Sequence, residues 1–261
     1  MIYIVGGNGF VGSVYVRMLA DRGIEHTVIT RENYDAHRGT SCDVLINANG
    51  NSKKFLADRD PIGEFDMSVR SVAETLNAFE AGTYVHLSTG DVYPDQTKPD
   101  VSAENQLIEP SRLSRYGLHK YLAEQIVIGT HPDWLIIRMG GFVGPGLKKN
   151  AVYDMLTGAK VRLSPESELQ FINTDNGAAL VWQLIEKGVR REVVNLGAKG
   201  LVRLGDLHRR IGSASNFEPD TPLIRYEISL EKLAGLIDGP LPETSDDVES
   251  FIGTWQAEPP A

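Results

Sequence analysis

Three patterns in the 261-residue sequence combine residue types that can do chemistry. The first is Gly6-x-x-Gly9-x-x-Gly12, within GGNGFVG. At this spacing Gly6 allows a tight turn, Gly9 lets backbone approach a pyrophosphate, and Gly12 lets a helix pack close to a strand. The second is Tyr116-Gly-Leu-His-Lys120, where the four-residue interval puts a phenol and an ammonium on one helical face. A phenol with an ordinary pKa near 10 is a poor acid or base at neutral pH. A cation beside it favours phenolate and is expected to bring it into a useful range. The third is Ser88-Thr89, two hydroxyls at the end of the apolar run TYVHLS, with turn capping as their everyday alternative.

These groups must be positioned by the elements around them. Ile2 to Val5 is a short β-branched run, and Phe10 to Arg22 has helical spacing with Gly23 as its stop. The glycines therefore fall on the first strand-to-helix turn, which is far more telling than their spacing alone. Thr27–Thr30 and Asp43–Asn47 read as the next strands, separated by a polar stretch without periodicity from Arg31 to Cys42. Pro61 to Ala81 reads as a helix, Thr83 to Ser88 as a strand, Ser114 to Thr130 as a helix and Trp134 to Arg138 as a strand. Strands alternating with helices predict an α/β chain of Rossmann type, with a doubly wound parallel sheet covered on both faces. Ligands in such sheets bind outside the strands' carboxyl ends, so Ser88 and Thr89 are expected to open onto the same mouth as the glycine turn.

Past residue 140 the texture changes to shorter elements punctuated by Gly140-Gly141, Gly144-Pro145-Gly146 and Pro165. A helix over Thr174–Lys187 and a strand over Val193–Asn195 stand out. We expect residues 1–140 to form the nucleotide-binding domain with the catalytic residues. Residues 141–261 are expected to form a small substrate lobe, the chain partly returning to the sheet. The tail Ala257–Ala261 should fray.

Composition narrows the classes. With 26 Lys+Arg against 35 Asp+Glu, the net charge of −9 disfavours a nucleic-acid partner. No apolar run approaches the roughly 18 residues of a membrane span, and the start carries no signal-peptide pattern. The single Cys42 excludes internal disulfides and multi-thiolate zinc, making a reducing cytoplasm the default. No His/Asp/Glu cluster has metal spacing. His86 and His119 read as satisfied structural residues, and Arg190-Arg191 and Arg209-Arg210 as solvated faces. Lys148-Lys149 could meet substrate phosphates or be an ordinary exposed pair. Arg31 is the first charge after the second strand; an arginine there accommodates the NADP phosphate, whereas an acid would hold the ribose of NAD. The adjacent Glu32 keeps NAD open, and the residues lean to NADP.

Glycine turn, strand-end hydroxyls, then Tyr-x-x-x-Lys is an order that resembles the short-chain dehydrogenase/reductases. GGNGFVG, DVLINANG, HLSTGDVYP, RYGLHKYLAEQ, RMGGFVGPG and FINTDNGA are similar to landmarks of the extended branch, the NAD-dependent epimerase/dehydratase (nucleotide-sugar) family. The likeness fades beyond about residue 200. It implies Gly6, Gly9, Phe10, Val11, Gly12, Arg31, Asn47 and Ala48 at the dinucleotide, with Tyr116 and Lys120 reaching its nicotinamide ribose. It implies Tyr116 as acid/base, Thr89 as the hydroxyl bonding the reacting oxygen, Ser88 as its neighbour, and a homodimer. There are departures. The Asp-Glu that dehydratases carry after the threonine is Gly90-Asp91, and a cysteine–histidine epimerisation pair is replaced by Asp91 and Gly146. Gly141 and Leu169 stand where the branch has an asparagine and an arginine for its substrate. The segment Arg31–Cys42 is too short for the usual strand-helix-strand insert, a shortening similar to that of the dTDP-4-dehydrorhamnose reductases.

The expectation is an NAD(P)-dependent oxidoreductase reducing a keto group of a nucleotide-activated sugar or related substrate. An epimerase that retains its cofactor, with Asp91 as base, is the alternative within enzymes. A non-catalytic NAD(P)-binding sensor or scaffold is the alternative outside them.

Overall fold

The computed structural model describes residues 1–257; the expected fraying beyond Ala257 lies outside the described residues. The chain divides into two compact units. One comprises residues 1–94, 104–139 and 178–194, and the other residues 95–103, 140–177 and 195–261. These compact units are formed by a chain that crosses between them several times.

The first unit is built on β1 (Ile2–Val5), β2 (His26–Ile29), β3 (Ser41–Asn47), β4 (Glu80–Thr89) and β5 (Trp134–Met139). Each adjacent pair among these is parallel, and the sheet runs β2-β1-β3-β4-β5 followed by Glu192–Leu196. The doubly wound order 3-2-1-4-5-6 places a further strand outside the second one. Among the described residues that strand is missing, because the segment after β2 holds a single helical turn, Tyr34–His37, before β3 begins. The sheet is the Rossmann-type parallel core that alternating strands and helices dictate.

Helix α1 (Gly12–Asp21) follows the glycine turn, starting two residues later than the apolar spacing suggests. After α2 (Tyr34–His37) come α3 (Leu56–Arg59) and α4 (Pro61–Phe65), then a π-helical turn Asp66–Arg70 leading into α5 (Ser71–Ala78). The single helix expected over Pro61–Ala81 is thus one continuous helical run over 61–78 with a π turn at its middle, and it ends early, giving Glu80 and Ala81 to β4. Helix α6 (Arg115–Thr130) starts from an N-cap, Ser114, whose Oγ accepts from Gly117 N at 3.1 Å. The core beneath α5 and α6 gathers Tyr3, Val5, Leu45, Val72, Leu76, Ala123, Val127 and Ile136.

The second unit contains β6 (Gly141–Val143), α7 (Ala151–Thr157), β7 (Glu168–Leu169) and β8 (Phe171–Asn173). The boundary at 177/178 falls within α8 (Thr174–Glu186), and that at 194/195 within β9 (Glu192–Leu196). The chain continues through β10 (Val202–Arg203), α9 (Leu204–Ile211), β11 (Arg225–Tyr226), α10 (Glu231–Leu236) and α11 (Thr244–Ala257). Strands β6 and β8 pair in parallel, and β10-β7-β11 make a small sheet. Helix α11 is tied to β8: Asn173 N donates to Asp247 Oδ2 at 2.7 Å and Phe171 O accepts from Thr244 Oγ1 at 3.0 Å. Among the described residues no helix is long and apolar enough to cross a membrane.

Candidate active site

The glycine turn joins β1 to α1. Gly6 has φ +81°, and a Cβ on it would lie 2.9 Å from the Ala48 carbonyl carbon. A Cβ on Gly12 would lie 2.3 Å from Gly6 O, so the helix starts where only glycine fits. Gly9 differs: a Cβ there meets only Gly6 O, at 3.2 Å. The fold itself asks less of Gly9, which leaves a cradle for an approaching ligand. Val11, the N-cap, makes no side-chain capping bond, and the first turn of α1 has no acidic residue. Ser13 N and Val14 N donate to Gly9 O and Val11 O, at 2.9 and 3.2 Å, while the helix start, without a side-chain cap or an acidic residue, carries the positive end of the dipole, so this turn fits a dinucleotide pyrophosphate. Phe10 and Val11 lie in the turn itself.

Beside it, β3 ends in Asn47 and Ala48. Ala48 N donates to Val5 O at 2.9 Å. The Asn47 side chain is buried and committed at both ends, donating to Tyr84 OH at 2.6 Å and accepting from Asn49 N at 3.0 Å. It shapes the strand end from below. At the end of β2, Asn33 organises the turn, accepting from Thr30 N at 2.7 Å and donating to Val28 O at 2.9 Å. Arg31 and Glu32 both project into solvent from it.

The reactive cluster forms where α6 meets the end of β4. A Cβ on Gly117 would lie 2.3 Å from Asp91 O, so this glycine lets the start of α6 sit on the turn Gly90–Val92. Thr89 Oγ1 donates to Asp91 Oδ2 at 2.9 Å and accepts from Asp91 N at 3.2 Å. Lys54 Nζ pairs with Asp91 Oδ1 at 2.6 Å. Tyr116 is buried and donates its hydroxyl to Asn51 O at 3.1 Å. Lys120 Nζ lies 5.6 Å from the centre of the Tyr116 ring and makes no hydrogen bond or ion pair among the described residues. Thr89, Asp91, Tyr116 and Lys120 are thus brought together.

Two expectations are corrected here. Ser88 does not join the cluster: neighbouring strand residues face opposite sides, and Ser88 Oγ donates to the buried Glu124 Oε1 at 2.5 Å. There it belongs to a network in which Arg138 binds Glu124 (Nη2 to Oε2, 2.7 Å) and donates to Tyr93 OH at 2.9 Å. Nor does the lysine bring the phenol down. Burial, with Asp91 and Glu64 adding, pushes Tyr116 well above its usual range. Burial also pulls the Lys120 ammonium down to about 8, the same carboxylates partly offsetting it. Tyr116 is therefore held protonated, as a donor.

His119 is satisfied by the buried Glu64, which also accepts from Ser68 Oγ at 2.5 Å. His86 is not: both ring nitrogens are buried without a hydrogen-bond partner among the described residues, and burial pulls its pKa to about 3. Lys148 and Lys149 belong to the second unit, exposed on the turn between β6 and α7. No group of three or more His, Cys, Asp or Glu among the described residues could hold a metal. Sequence reasoning missed Asn51 and Lys54, although the segment after β3 leaves a strand's carboxyl end, where ligands bind in such sheets.

Among curated proteins, none matches this sequence. Solved structures share its architecture. A UDP-glucuronic acid 4-epimerase from Bacillus cereus, in complex with UDP-glucuronic acid and NAD, is 17% identical over 98% of this chain and 99% of its own, with a TM-score of 0.80. A dTDP-4-dehydrorhamnose reductase from Clostridium acetobutylicum is 18% identical over 98% and 99%, with a TM-score of 0.78. RMD from Pseudomonas aeruginosa, complexed with NADPH, is 18% identical over 98% and 99%, with a TM-score of 0.79. At these identities they show the fold. The model of the NAD dependent epimerase/dehydratase family matches residues 2–197, which include the glycine turn, Thr89, Tyr116 and Lys120, and the chain belongs to that family.

Proposed function

We propose that the protein is an NAD(P)H-dependent reductase acting on a keto group of a nucleotide-activated sugar or related substrate. The observation that carries this is the Tyr116 hydroxyl, buried beside Lys120 and already donating to a carbonyl oxygen, Asn51 O, at 3.1 Å. Ketone reduction asks for that same interaction with the substrate's oxygen. The bound dinucleotide supplies hydride. Tyr116 donates the proton to the oxyanion that hydride addition makes. Lys120 supplies positive charge beside the phenol and holds the ribose. Thr89 orients the reacting oxygen once its hydroxyl leaves Asp91. Gly9 and the uncapped start of α1 take the pyrophosphate, and Ala48 closes that side above Asn47.

Arg31, exposed at the end of β2, is assigned to the 2′-phosphate of NADP. Lys148 and Lys149 are assigned to the substrate's phosphates. Residues 1–140 then carry cofactor and chemistry and residues 141–261 carry substrate. Phe55, Ile62, Phe65 and Leu122, large apolar side chains exposed in the first unit, are the face through which we expect a homodimer. The buried single thiol, Cys42, suits a reducing cytoplasm.

One observation favours epimerisation as a second reading. The Asp91 carboxylate sits in the cluster against a lysine, where it can act as a base on carbon. A sensor or scaffold has less support, since it would have no need of Thr89, Tyr116 and Lys120 together. The test is calorimetry with NADPH and NADH, followed by turnover of UDP- and dTDP-4-keto sugars. Dinucleotide oxidation in step with substrate loss supports reduction. Isomer exchange without net oxidation supports epimerisation, and binding without turnover supports the sensor.

A further inference from the structure

Lys120 is buried and makes no hydrogen bond or ion pair among the described residues. An ammonium taken out of water with nothing to compensate it gives up its proton. Two carboxylates act on this one, Glu64 and Asp91, and their surroundings differ. Asp91 is bridged to Lys54 Nζ at 2.6 Å and accepts from the Thr89 hydroxyl at 2.9 Å, so a cation in contact already offsets its charge. Glu64 is fully buried, and its side-chain partners among the described residues are Ser68 Oγ, at 2.5 Å, and His119 Nδ1. One is a neutral hydroxyl, and the other is charged only when it takes a proton.

The fold sets this carboxylate close behind the lysine. Glu64 lies on α4, the π turn Asp66–Arg70 follows directly, and both pack on α6. His119, which binds the carboxylate, immediately precedes Lys120 on α6. A Cβ on Gly50 would lie 2.8 Å from Lys120 Nζ and 4.0 Å from Met67 O, so the ammonium and the π turn that carries Ser68 meet at one point. The remaining ionisable neighbours offer no counter-charge. Tyr116 is held protonated and His86, from β4, neutral. Arg70 pairs with Asp66 on the π turn at 2.9 Å, and Glu124 is gripped by Arg138.

We propose that Glu64 is a positioning residue of the site: a buried carboxylate, fixed by Ser68 and His119, that serves as the through-space counter-charge of Lys120 and leaves the ammonium's N–H groups free for ligand oxygens. A carboxylate in contact would occupy those donors. One held a side chain away supplies charge and takes none of them. Because Ser68 and His119 bond it independently of the lysine, Glu64 stays in place when Lys120 turns to a ligand. What Lys120 then does for that ligand rests on the reductase reading above; the source of its charge does not.

The experiment follows the Lys120 Cε resonance of the full-length protein, carrying carbon-13 lysine, by NMR from about pH 6 to 11. Lys120→Met identifies the peak. In wild type the proton should leave near 8. Glu64→Gln keeps the shape of the side chain and hydrogen-bonding groups for both partners, and should lower that midpoint by about one pH unit, a tenfold loss of proton affinity. Asp91→Asn should lower it by less than half as much. His119→Asn, which keeps an N–H toward Glu64 and cannot be protonated, should leave it in place. A carboxylate that merely joined α4 to α6 would change stability and leave the Lys120 midpoint alone. An unmoved midpoint in Glu64→Gln therefore overturns the proposal. So does a drop of about one pH unit in Asp91→Asn, or a rise in His119→Asn, which would show a charged imidazole consuming the carboxylate. Those last two variants decide the matter should Glu64→Gln not fold. Calorimetry with NADPH and NADH separates the two readings: wild type that binds neither overturns the reductase, while the titration still decides Glu64.

Discussion

Two cations lie buried in the first unit, and their surroundings are opposite. Arg138, on β5, is 4% exposed; Lys120, on α6, is 5% exposed. Arg138 is gripped by Glu124, Tyr93 stacks under it with the guanidinium 4.8 Å from the ring centre, and Ser88 completes the carboxylate's bonding. Lys120 has the Tyr116 ring and the Gly50 turn beside its Nζ and no hydrogen bond or ion pair among the described residues, with Glu64 and Asp91 attracting it from farther off. A buried charge that is fully paired serves the fold, because removing either partner strands the other. A buried charge left without a partner is costly and persists where a ligand is to complete it. The difference separates the residues that hold the strand ends in place from those that work there.

Tyr116→Phe should have the largest effect, on the working side. It keeps the ring and removes the proton donor, so kcat should fall by about 10²–10⁴ with dinucleotide affinity retained. Near-normal turnover would move the chemistry to Asp91, where Asp91→Asn would then be the crippling change. Arg138→Met comes next and tests the holding side. It leaves Glu124 buried without its partner, at about 3–5 kcal/mol of stability in urea unfolding. Lys120→Met should cost little or nothing in the same measurement, since no partner is stranded. Equal losses would erase the distinction between the two cations.

Arg31→Ala probes the exposed end of the site. NADPH affinity should drop by about 1.5–3 kcal/mol, the worth of a charge-assisted hydrogen bond, while NADH hardly moves. A wild type that prefers NADH would remove Arg31 from the site. The smallest effect is in pH. The unfolded chain keeps the lysine proton to roughly 10.4, whereas folded Lys120 releases it near 8. Between those values the unfolded state binds more protons, so this residue makes stability rise with pH. Subtracting the Lys120→Met curve from wild type should leave a rise of about 2 kcal/mol from pH 8 to 10. A flat difference would mean that the cation is solvated.

The sequence made some of this legible and hid the rest for identifiable reasons. Strand β1 and helix α6 announce themselves because apolar spacing and a serine cap are local signals. The π-helical turn at Asp66–Arg70 does not, since one extra residue in a turn leaves the apolar pattern nearly intact. Helix α11 carries Val248, Phe251, Ile252 and Trp255 at helical intervals, a signal present in the sequence but set among residues where family landmarks had faded. Of the candidate site, the Tyr116–Lys120 face follows from spacing. The direction of the phenol's shift does not, because spacing reports the neighbouring cation and is silent about burial. Ser88 and Thr89 read alike as letters, and only strand alternation sends one to Glu124 and the other to Asp91. Lys54 and Asn51 sit in a loop with no periodicity at all, where chemistry is visible only after folding.

The missing outer strand has a consequence for how the molecule meets its own kind. With no strand beyond β2 among the described residues, one side of it presents a short row of backbone groups, and Val28 O is already taken by Asn33 Nδ2 at 2.9 Å. Such a row is a template for polymer growth when it is long. His26–Ile29 is four residues, and the turn held by Asn33 veers away directly after it, so a visiting strand finds too few rungs to stay. The sheet is sealed by brevity. A graft that extended β2 by several apolar residues would turn a quiet margin into a nucleus for fibres.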